Sequence, residues 1–543
     1  MSKSESLPPP LRVGILVYPG QDFEPWELSL FERLNRHPAI SLEAFLTHQR
    51  FARKRRPSVI FQALSKIERA LFLRAGKPYA RLSGGKLGNI PSKPAHDQAM
   101  AEAGLDVVLS HLPGADADCL LGCGKEFWEY NFYADASGLP ELFGFHESLE
   151  AIPITQSAIL RRMHDGSREV IATCTTNTKF SATLNAQYAK DMLPALVERE
   201  MLGKLRQRSG EARSASHAAL MPPAPFPEFG WREVLRYGAK LIGRTGNRIA
   251  KLALARIGGQ PDNWSLVIGE GDVLSSSLDN LRELPQPNGE FRADPFLFRK
   301  GGESWVFFEA WNGNGHAGKI CVGRLDGSSI RDVIGIELGD VHLSYPYVFD
   351  AGGETFMIPE THERNRVEIW RCTDFPGKWT LHATALEGTS PADTTLIEWN
   401  KQWWMLTNLC SGNILDHCME LHVFRVDGPD LQHVEPHPMN PVVLDTTSAR
   451  NAGRPFVRDG RLIRPAQITS HGLYGYGLKF MEITELSMDA YSEREVRRIE
   501  PDRAQATTGC HHIDSCDDLF IMDVRRAYGS KFLGARPIAL SAS

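Results

Sequence analysis

Five times after residue 290 the chain repeats one pattern: a β-rich run that opens on polar residues, a tight turn, and a second apolar run. The copies are ADPFLFRKGGESWVFFEA (293–310), SYPYVFDAGGETFMIPET (344–361), ADTTLIEWNKQWWMLTN (392–408), GRPFVRDGRLIRPAQ (453–467) and GCHHIDSCDDLFIMDVRR (509–526). Measured from Asp294 to Tyr345, Thr394, Arg454 and His511, the steps are 51, 49, 60 and 57 residues. A unit of this kind buries its apolar faces only by stacking on its neighbours. The period leaves room for four strands per copy, so five copies predict an all-β, five-bladed propeller over 261–543. Trp305, Phe307, Phe356, Trp403, Trp404, Phe456, Phe520 and Ile521 then serve mostly as packing between blades. Two stacked β-domains are the alternative architecture.

Closure into a ring gives the polar residues a place. The innermost strand of every blade lines a central channel, so equivalent positions in successive copies converge at one mouth of it. The converging set is Asp294, His342 with Ser344 and Tyr345, Asp393, Arg454, and His511 with His512 and Asp514. Glu360 ends the second run of copy two, and His362, Glu363, Arg364 and Arg366 follow it; Arg450, Asn451, Gln467, His471 and Tyr476 lie around copy four. Carboxylates, imidazoles and guanidinium groups in one funnel suit a polar, polyhydroxylated or phosphorylated ligand. Chemistry at a glycosidic bond needs an acid to protonate the leaving oxygen and a base or nucleophile on the opposite face. Asp294, Glu360 and Asp393 are therefore the candidate catalytic residues. His342, Tyr345, Arg366, Arg454, His511 and His512 are the candidate substrate ligands. The plainer alternative makes Asp294 a turn cap at the head of its strand. The Cys510-His511-His512-Asp514 run offers three metal-ligating residue types, but adjacent residues face opposite sides of a strand, so neither a metal nor a cofactor is expected.

The first 200 residues read differently. Short apolar runs (12–18, 42–46, 105–109) alternate with longer helical patterns such as WELSLFERL (26–34), which predicts a parallel sheet with helices on its faces. Residues 201–260 form a linker containing a basic, amphipathic helix. From Trp231 to Arg256 there are seven basic residues and a single acid, Glu233. Leu235, Leu241, Ile242, Ile249, Leu252 and Leu254 supply apolar area around the same helix. Such a helix either bridges domains with its basic face in water or lies on an anionic membrane surface. The first is the plainer reading, and a second basic stretch, Arg50 to Arg81, adds slightly to the other.

The net charge of −5 excludes a body built to coat nucleic acid, so no nucleic-acid partner is expected. None of the nine cysteines forms a C-x-x-C pair, and no apolar stretch reaches the length of a membrane span. The first twenty residues lack the apolar core and cleavage site of a secretory signal, which predicts a cytoplasmic protein with reduced thiols, peripheral to the membrane at most.

Three resemblances extend this reading. ADPFLFRKGGESWVFFEA resembles the first blade of the furanosidase-type glycoside hydrolase superfamily, five-bladed propellers that include arabinofuranosidases, β-xylosidases and fructosidases. The resemblance implies Asp294 as general base or nucleophile, with a second Asp and an acidic Glu elsewhere in the funnel. HLSYPYVFDAGGETFMIPET (342–361) resembles the propeller domain of glucosamine inositolphosphorylceramide transferases and of bacterial proteins of surface-glycan or natural-product biosynthesis. YNFYADASGLPEL (130–142) resembles the catalytic motif of the formyltransferase fold, a Rossmann-like α/β domain, with Asn131 at the Asn position and Leu139-Pro140 near its end. Tyr133 stands where that family has its His, and Asp135 and Ser137 replace a single Ser. A phenol with a pKa near 10 is a poor base at neutral pH beside an imidazole near 6.5, so this domain is expected to be degenerate. Together the resemblances imply a carbohydrate-active enzyme, a glycosidase or glycosyltransferase, acting on a sugar or glycoconjugate that is phosphorylated or lipid-linked. The alternatives are a non-catalytic glycan-binding scaffold and a formyl or acyl transferase acting through the N-terminal domain.

Overall fold

The computed structural model describes residues 9–19, 23–47, 59–72, 90–94, 104–112, 126–134, 142–208, 230–256, 262–311, 318–501, 507–527 and 540–542. The chain divides into two compact units, 1–244 with 411–415, and 245–410 with 416–543.

The first unit is α/β. Its strands are β1 (Leu11–Leu16), β2 (Ile40–Thr47), β3 (Ser92–Pro94), β4 (Val107–Ser110), β5 (Glu126–Tyr130), β6 (Ile154–Arg162) and β7 (Arg168–Asn177). Its helices are α1 (Pro25–Arg36), α2 (Val59–Phe72), α3 (Asn131–Ala134), α4 (Phe145–Glu150), α5 (Ala182–Asp191), α6 (Leu193–Arg208) and the start of α7 (Trp231–Arg256). The sheet order is β3-β2-β1-β4-β5-β6-β7; the first five strands run parallel and β6 and β7 antiparallel. Leu11, Val13, Ile15 and Leu16 of β1 are all buried, as a central strand covered on both faces requires. A capping box between Glu24 and Glu27 starts α1, and Trp26, Leu30, Phe31 and Leu34 form its buried stripe.

The strands and the helix expected at 12–18, 26–34, 42–46 and 105–109 are thus present. The formyltransferase resemblance gains no support from the described residues. Asn131 donates from its amide to Gln156 O (3.0 Å) and accepts from Ala158 N (3.1 Å), so the side chain ties the end of β5 to β6. Both ends of the amide are spent on backbone. Asp135, Ser137, Leu139 and Pro140 lie outside the described residues.

The second unit is a five-bladed β-propeller. Blade one runs from Phe291 to Gly335, blade two from Ser344 to Ala385 and blade three from Ala392 to Pro436, each a four-stranded sheet in consecutive order. Blade four covers Phe456 to Pro501 and gains an outer strand at Leu540–Ala542. Blade five draws on both ends of the unit. Its Leu519–Ala527 strand pairs with Asp262–Glu270 along the whole length of both, which closes the ring by hydrogen bonds.

Four hydrophobic clusters follow the ring round. One joins blades one, two and three through Phe307, Phe356 and Met405. The others join three to four (Trp404, Leu462), four to five (Phe480, Phe520) and five to one (Ile521, Val306). The aromatic residues of the repeats therefore do pack blade on blade. Gly453 shows how closely the inner segments approach: its φ is +145°, and an added Cβ would fall 1.8 Å from Ile513 O of blade five. Only glycine fits there.

Candidate functional site

Blades one, two and three begin their inner strands with the same irregularity. The pairing register shifts between Ala293 and Phe296, between Ser344 and Tyr347, and between Ala392 and Thr395. At each shift sits one residue in left-handed backbone: Asp294 (φ +50°), Tyr345 (+48°) and Asp393 (+46°). That conformation is strained for any residue with a Cβ, and a bulge re-aims the side chain it carries. The side chains so turned make contacts across the ring. Tyr345 of blade two accepts at its hydroxyl from Gly453 N and donates to Gly453 O of blade four, both at 3.0 Å.

Antiparallel pairing then brings in a second set. The end of each second strand lies opposite the head of the first: Glu309 opposite Ala293, Glu360 opposite Ser344, and Asn408 opposite Ala392. Glu360, though on an outgoing strand, therefore reaches the same mouth as Asp294 and Asp393.

Asp294, Glu309, Glu360 and Asp393 are all buried. Asp294 Oδ1 lies 3.0 Å from His511 Nε2 and 3.7 Å from His512 Nδ1, and Oδ2 accepts from Tyr345 N at 3.3 Å. His511 Nδ1 lies 3.0 Å from Asp523 Oδ2, an approach close enough for an ion pair but too oblique for a hydrogen bond. Asp523 also accepts from the backbone N–H groups of His511 (2.9 Å), His512 (3.0 Å) and Asp294 (3.2 Å). On the other side Arg450 joins two carboxyls. Its Nε donates to Asp393 Oδ2 (2.6 Å) and its Nη2 to Glu360 Oε2 (3.2 Å), while Glu360 Oε1 lies 2.8 Å from His362 Nδ1.

The environments push these groups apart. Burial alone would lower the basicity of His511, but the carboxylates of Asp523 and Asp294 outweigh it and raise the imidazolium to about 10. Burial alone would raise Asp294; the same imidazolium overrides that and holds the carboxyl below its ordinary range. Glu360 is likewise held low, because His362 and Arg450 outweigh its burial. Asp393 is pushed well above the carboxylate range by burial and by the neighbouring Glu360, despite Arg450. Glu309 is pushed up by burial and then by the charge on Asp294. The mouth therefore sets carboxyls pushed above their ordinary range beside others held below it.

A pH dependence of stability follows. The folded-state pKa of His511 lies above its unfolded value near 6.5, so the ion pair contributes fully below that value and is lost as the pH rises through about 10. Denaturation midpoints of the wild type are expected to fall between roughly pH 7 and 10, by a few kcal/mol at most. His511→Gln should be flatter over that range. Equal slopes would show that the imidazole is not charged in the folded protein.

The candidate ligands separate into those the fold brings to the mouth and those it uses elsewhere. His511 and His512 are both there, because they precede the strand Ile513–Cys516 and escape its alternation. Contrary to the expectation of opposite faces, both rings approach Asp294 Oδ1. His512 is fully buried against Phe296 and Tyr345. His342 lies beside Glu309, with Nε2 at 3.8 Å from Oε1, and accepts at Nδ1 from Gly318 N. Tyr345 acts through its hydroxyl as a brace between blades.

Arg454 was expected as a ligand, yet its donors go to Asp514, Val348 O and Leu297 O, which makes it a strut linking four blades. Arg366 was expected there too. It instead pairs with the buried Glu368 at 2.8 Å. Asp294, His511 and Asp523 bring donor atoms within 4.8 Å of one another, a spacing that suits a metal ion. A cation there would have to displace a proton held with a pKa of about 10 on His511.

Sequence reasoning did not single out Glu309, Asp523, Tyr474 or Trp264, and placed Arg450 only nearby. Trp264 packs edge-on to His511 at 4.3 Å. Tyr474, 42% exposed, lies 5.4 Å from His511, and the Arg450 guanidinium sits 5.3 Å above its ring. It gives the mouth an aromatic wall. The signal for the two acids was present: the second runs of copies one, two and five read FFEA, MIPE and FIMD, each with an acid after the apolar residues.

A family model described as glucosamine inositolphosphorylceramide transferase 1, N-terminal, matches residues 280–516. That stretch contains Asp294, Glu309, Glu360, Asp393, Arg450, His511 and His512. Among curated proteins, glucosamine inositolphosphorylceramide transferase 1 of Oryza sativa subsp. japonica is 33% identical over 207 residues, 37% of this chain and 27% of the relative. That of Arabidopsis thaliana is 31% identical over 210 residues, 38% of this chain and 27% of the relative. The chain thus matches little more than a quarter of the length of these relatives. Among solved structures, an α-L-arabinofuranosidase from Lactobacillus brevis is 14% identical, covering 41% of this chain and 78% of that chain with a TM-score of 0.31. A family 117 glycoside hydrolase from Zobellia galactanivorans is 11% identical, covering 48% and 90% with a TM-score of 0.31.

Proposed function

We propose that the propeller mouth holds a sugar and acts at its anomeric centre, by glycosyl transfer or hydrolysis. The feature that carries this reading is a pair of equivalent residues at matching bulges whose carboxyls are driven in opposite directions: Asp294 of blade one is held below its ordinary range, and Asp393 of blade three is pushed above it. Two carboxyls driven apart in this way are what acid and base chemistry at one bond needs. In this assignment Asp393 protonates the departing oxygen, and Asp294 takes the proton of an incoming water or hydroxyl or attacks the sugar carbon itself. Glu309 is a second carboxyl pushed above its ordinary range within the same mouth.

Glu360 is a less suitable proton donor, since it is held ionised; its part is to orient Asp393 through Arg450. Tyr474 supplies a face on which a sugar ring can stack. The plant relatives bear the name of a transferase of glucosamine and inositolphosphorylceramide, which supports a lipid-linked, phosphorylated sugar as the substrate class.

A second reading is binding without turnover. It is favoured by Arg450, which closes on two of the four carboxyls. Turnover decides between them. The full chain is incubated with aryl glycosides, nucleotide sugars and lipid-linked sugars, and product formation is followed by chromatography. Conversion of at least one substrate, lost on Asp393→Asn, is the expected result. Saturable binding of a sugar with no product would replace the catalytic reading by the second one.

A further inference from the structure

One position of the repeat changes character in blade three. Ser304 of blade one pairs with Arg299, and Thr355 of blade two pairs with Asp350. At the same register of blade three, counted from the bulge residue Asp393, Trp403 pairs with Glu398. Two blades thus pack with a short hydroxyl side chain where the third carries an indole, so the ring itself does not require an aromatic residue there. Trp403 touches the cluster of blades one to three but is only half-buried. Its Nε1–H donates to no group among the described residues. The strand Gln402–Asn408 leads from it to the mouth, so it lies about 17 Å from Asn408, at the opposite end of the blade.

An open cavity of about 740 Å³ surrounds the indole. Two turns wall it: one supplies Lys401 and Gln402, the other Asp427, Gln432 and His433. Gln402 Nε2 donates to Trp403 O (3.0 Å) and Val426 O (2.9 Å), which fixes the plane of its amide, and Gln432 Nε2 donates to Asp430 O (3.2 Å). The two amide oxygens, the Lys401 ammonium, the Asp427 carboxylate and the His433 ring have no partner among the described residues. These groups indicate the ligand. Donors and acceptors are intermixed, as hydroxyl groups, which do both, require. The aromatic face suits the apolar face of a sugar ring, and the volume is that of a small-molecule site. Charge is balanced: Arg425 Nε donates to Glu435 Oε2 at 2.9 Å, which leaves one cation, Lys401, and one anion, Asp427. An anionic ligand would lie against Asp427 and a cationic one against Lys401, whereas a neutral one meets both with hydroxyls.

We infer that the far end of blade three is a saccharide-binding subsite, in which a neutral pyranose stacks on Trp403 and bonds through its hydroxyls to Gln402, Lys401 and Asp427. The subsite shares no residue with the mouth. A mouth without turnover would leave it untouched.

The test is titration calorimetry of the full chain with neutral tetrasaccharides (cellotetraose, xylotetraose, mannotetraose and galactotetraose) and with two charged ones, tetragalacturonate and the tetramer of glucosamine. At least one neutral tetrasaccharide is expected to bind saturably and more tightly than either charged one. Trp403→Ser, which matches Ser304 of blade one, should weaken that binding by about tenfold, roughly the worth of one stacked aromatic face. Asp427→Lys leaves the indole in place at an exposed position and should also weaken it, so the inference stays testable if Trp403→Ser does not fold. Tyr474→Ala at the mouth should leave it unchanged. Melting curves are recorded for every variant. Absence of neutral binding, tighter binding of a charged tetramer, or binding that Trp403→Ser and Asp427→Lys both spare would overturn the inference. Binding that only Tyr474→Ala removes would overturn it too, and would assign the sugar to the mouth.

Discussion

Replacing Asp294 by Asn is expected to lower turnover by two to four orders of magnitude at neutral pH, the range roughly associated with losing a positioned base. The amide keeps the size of the side chain, and its oxygen can still accept from Tyr345 N, so the bulge at the head of blade one should survive. The variant loses the capacity to take a proton or to attack carbon. Initial rates on a substrate the wild type converts, with melting curves measured alongside, provide the check. A rate within a few-fold of wild type would remove Asp294 from the chemistry and leave it as a turn cap. His511→Gln gives an independent readout. The imidazolium is what holds Asp294 below its ordinary range, so without it the acid limb of the pH–rate profile should move to higher pH. A merely structural histidine would lower the rate without moving that limb.

The ring was legible because its cause is local and repeated. A hairpin with apolar residues on both runs cannot stand alone, and five such hairpins at one period have few ways to bury themselves. The positions that the ring brings together were partly legible for the same reason: Asp294 and Asp393 head their strands in matching copies. Glu309 and Asp523 could have been found by aligning the second runs instead of the first, since pairing is antiparallel and both ends reach one mouth. The fates of Arg454 and Arg366 were not accessible in this way. A guanidinium binds whichever carboxylate shares its space, and Asp514 and Glu368 were assigned no such role by the repeat. His511 and His512 were misjudged because alternation holds only inside a strand, and both precede one. In the N-terminal unit the alternation of strands and helices carried the fold, but nothing in the sequence told that both ends of the Asn131 amide are taken by the backbone of β6.

Arg450 carries the largest expected effect on stability. Its side chain is 11% exposed and donates to Asp393 and Glu360, which are more deeply buried still. Arg450→Met keeps much of the apolar stem but leaves two buried carboxyls with His362 as their remaining cation, and breaking a buried pair in this way costs about 3–5 kcal/mol. The loss should depend on pH with a definite sign. Glu360 is depressed in the folded protein, so its ion pair contributes above the unfolded carboxylate value of about 4.3 and is lost as the pH falls. Asp393 is raised, and without the guanidinium it would be raised further, a penalty that grows as the pH climbs. Both effects make the variant weakest in alkaline solution and bring it closest to the wild type only well below the unfolded carboxylate value, where the depressed Glu360 itself takes up its proton. Urea midpoints at acid and neutral pH measure this directly. Arg450→Met/Glu360→Gln should recover part of the loss, because the neutral amide needs no counter-ion and can still bond His362. A loss of equal size at every pH, with no recovery in the double variant, would mean that Arg450 acts through packing. The opposed shifts of the carboxyls at the mouth would then need another cause.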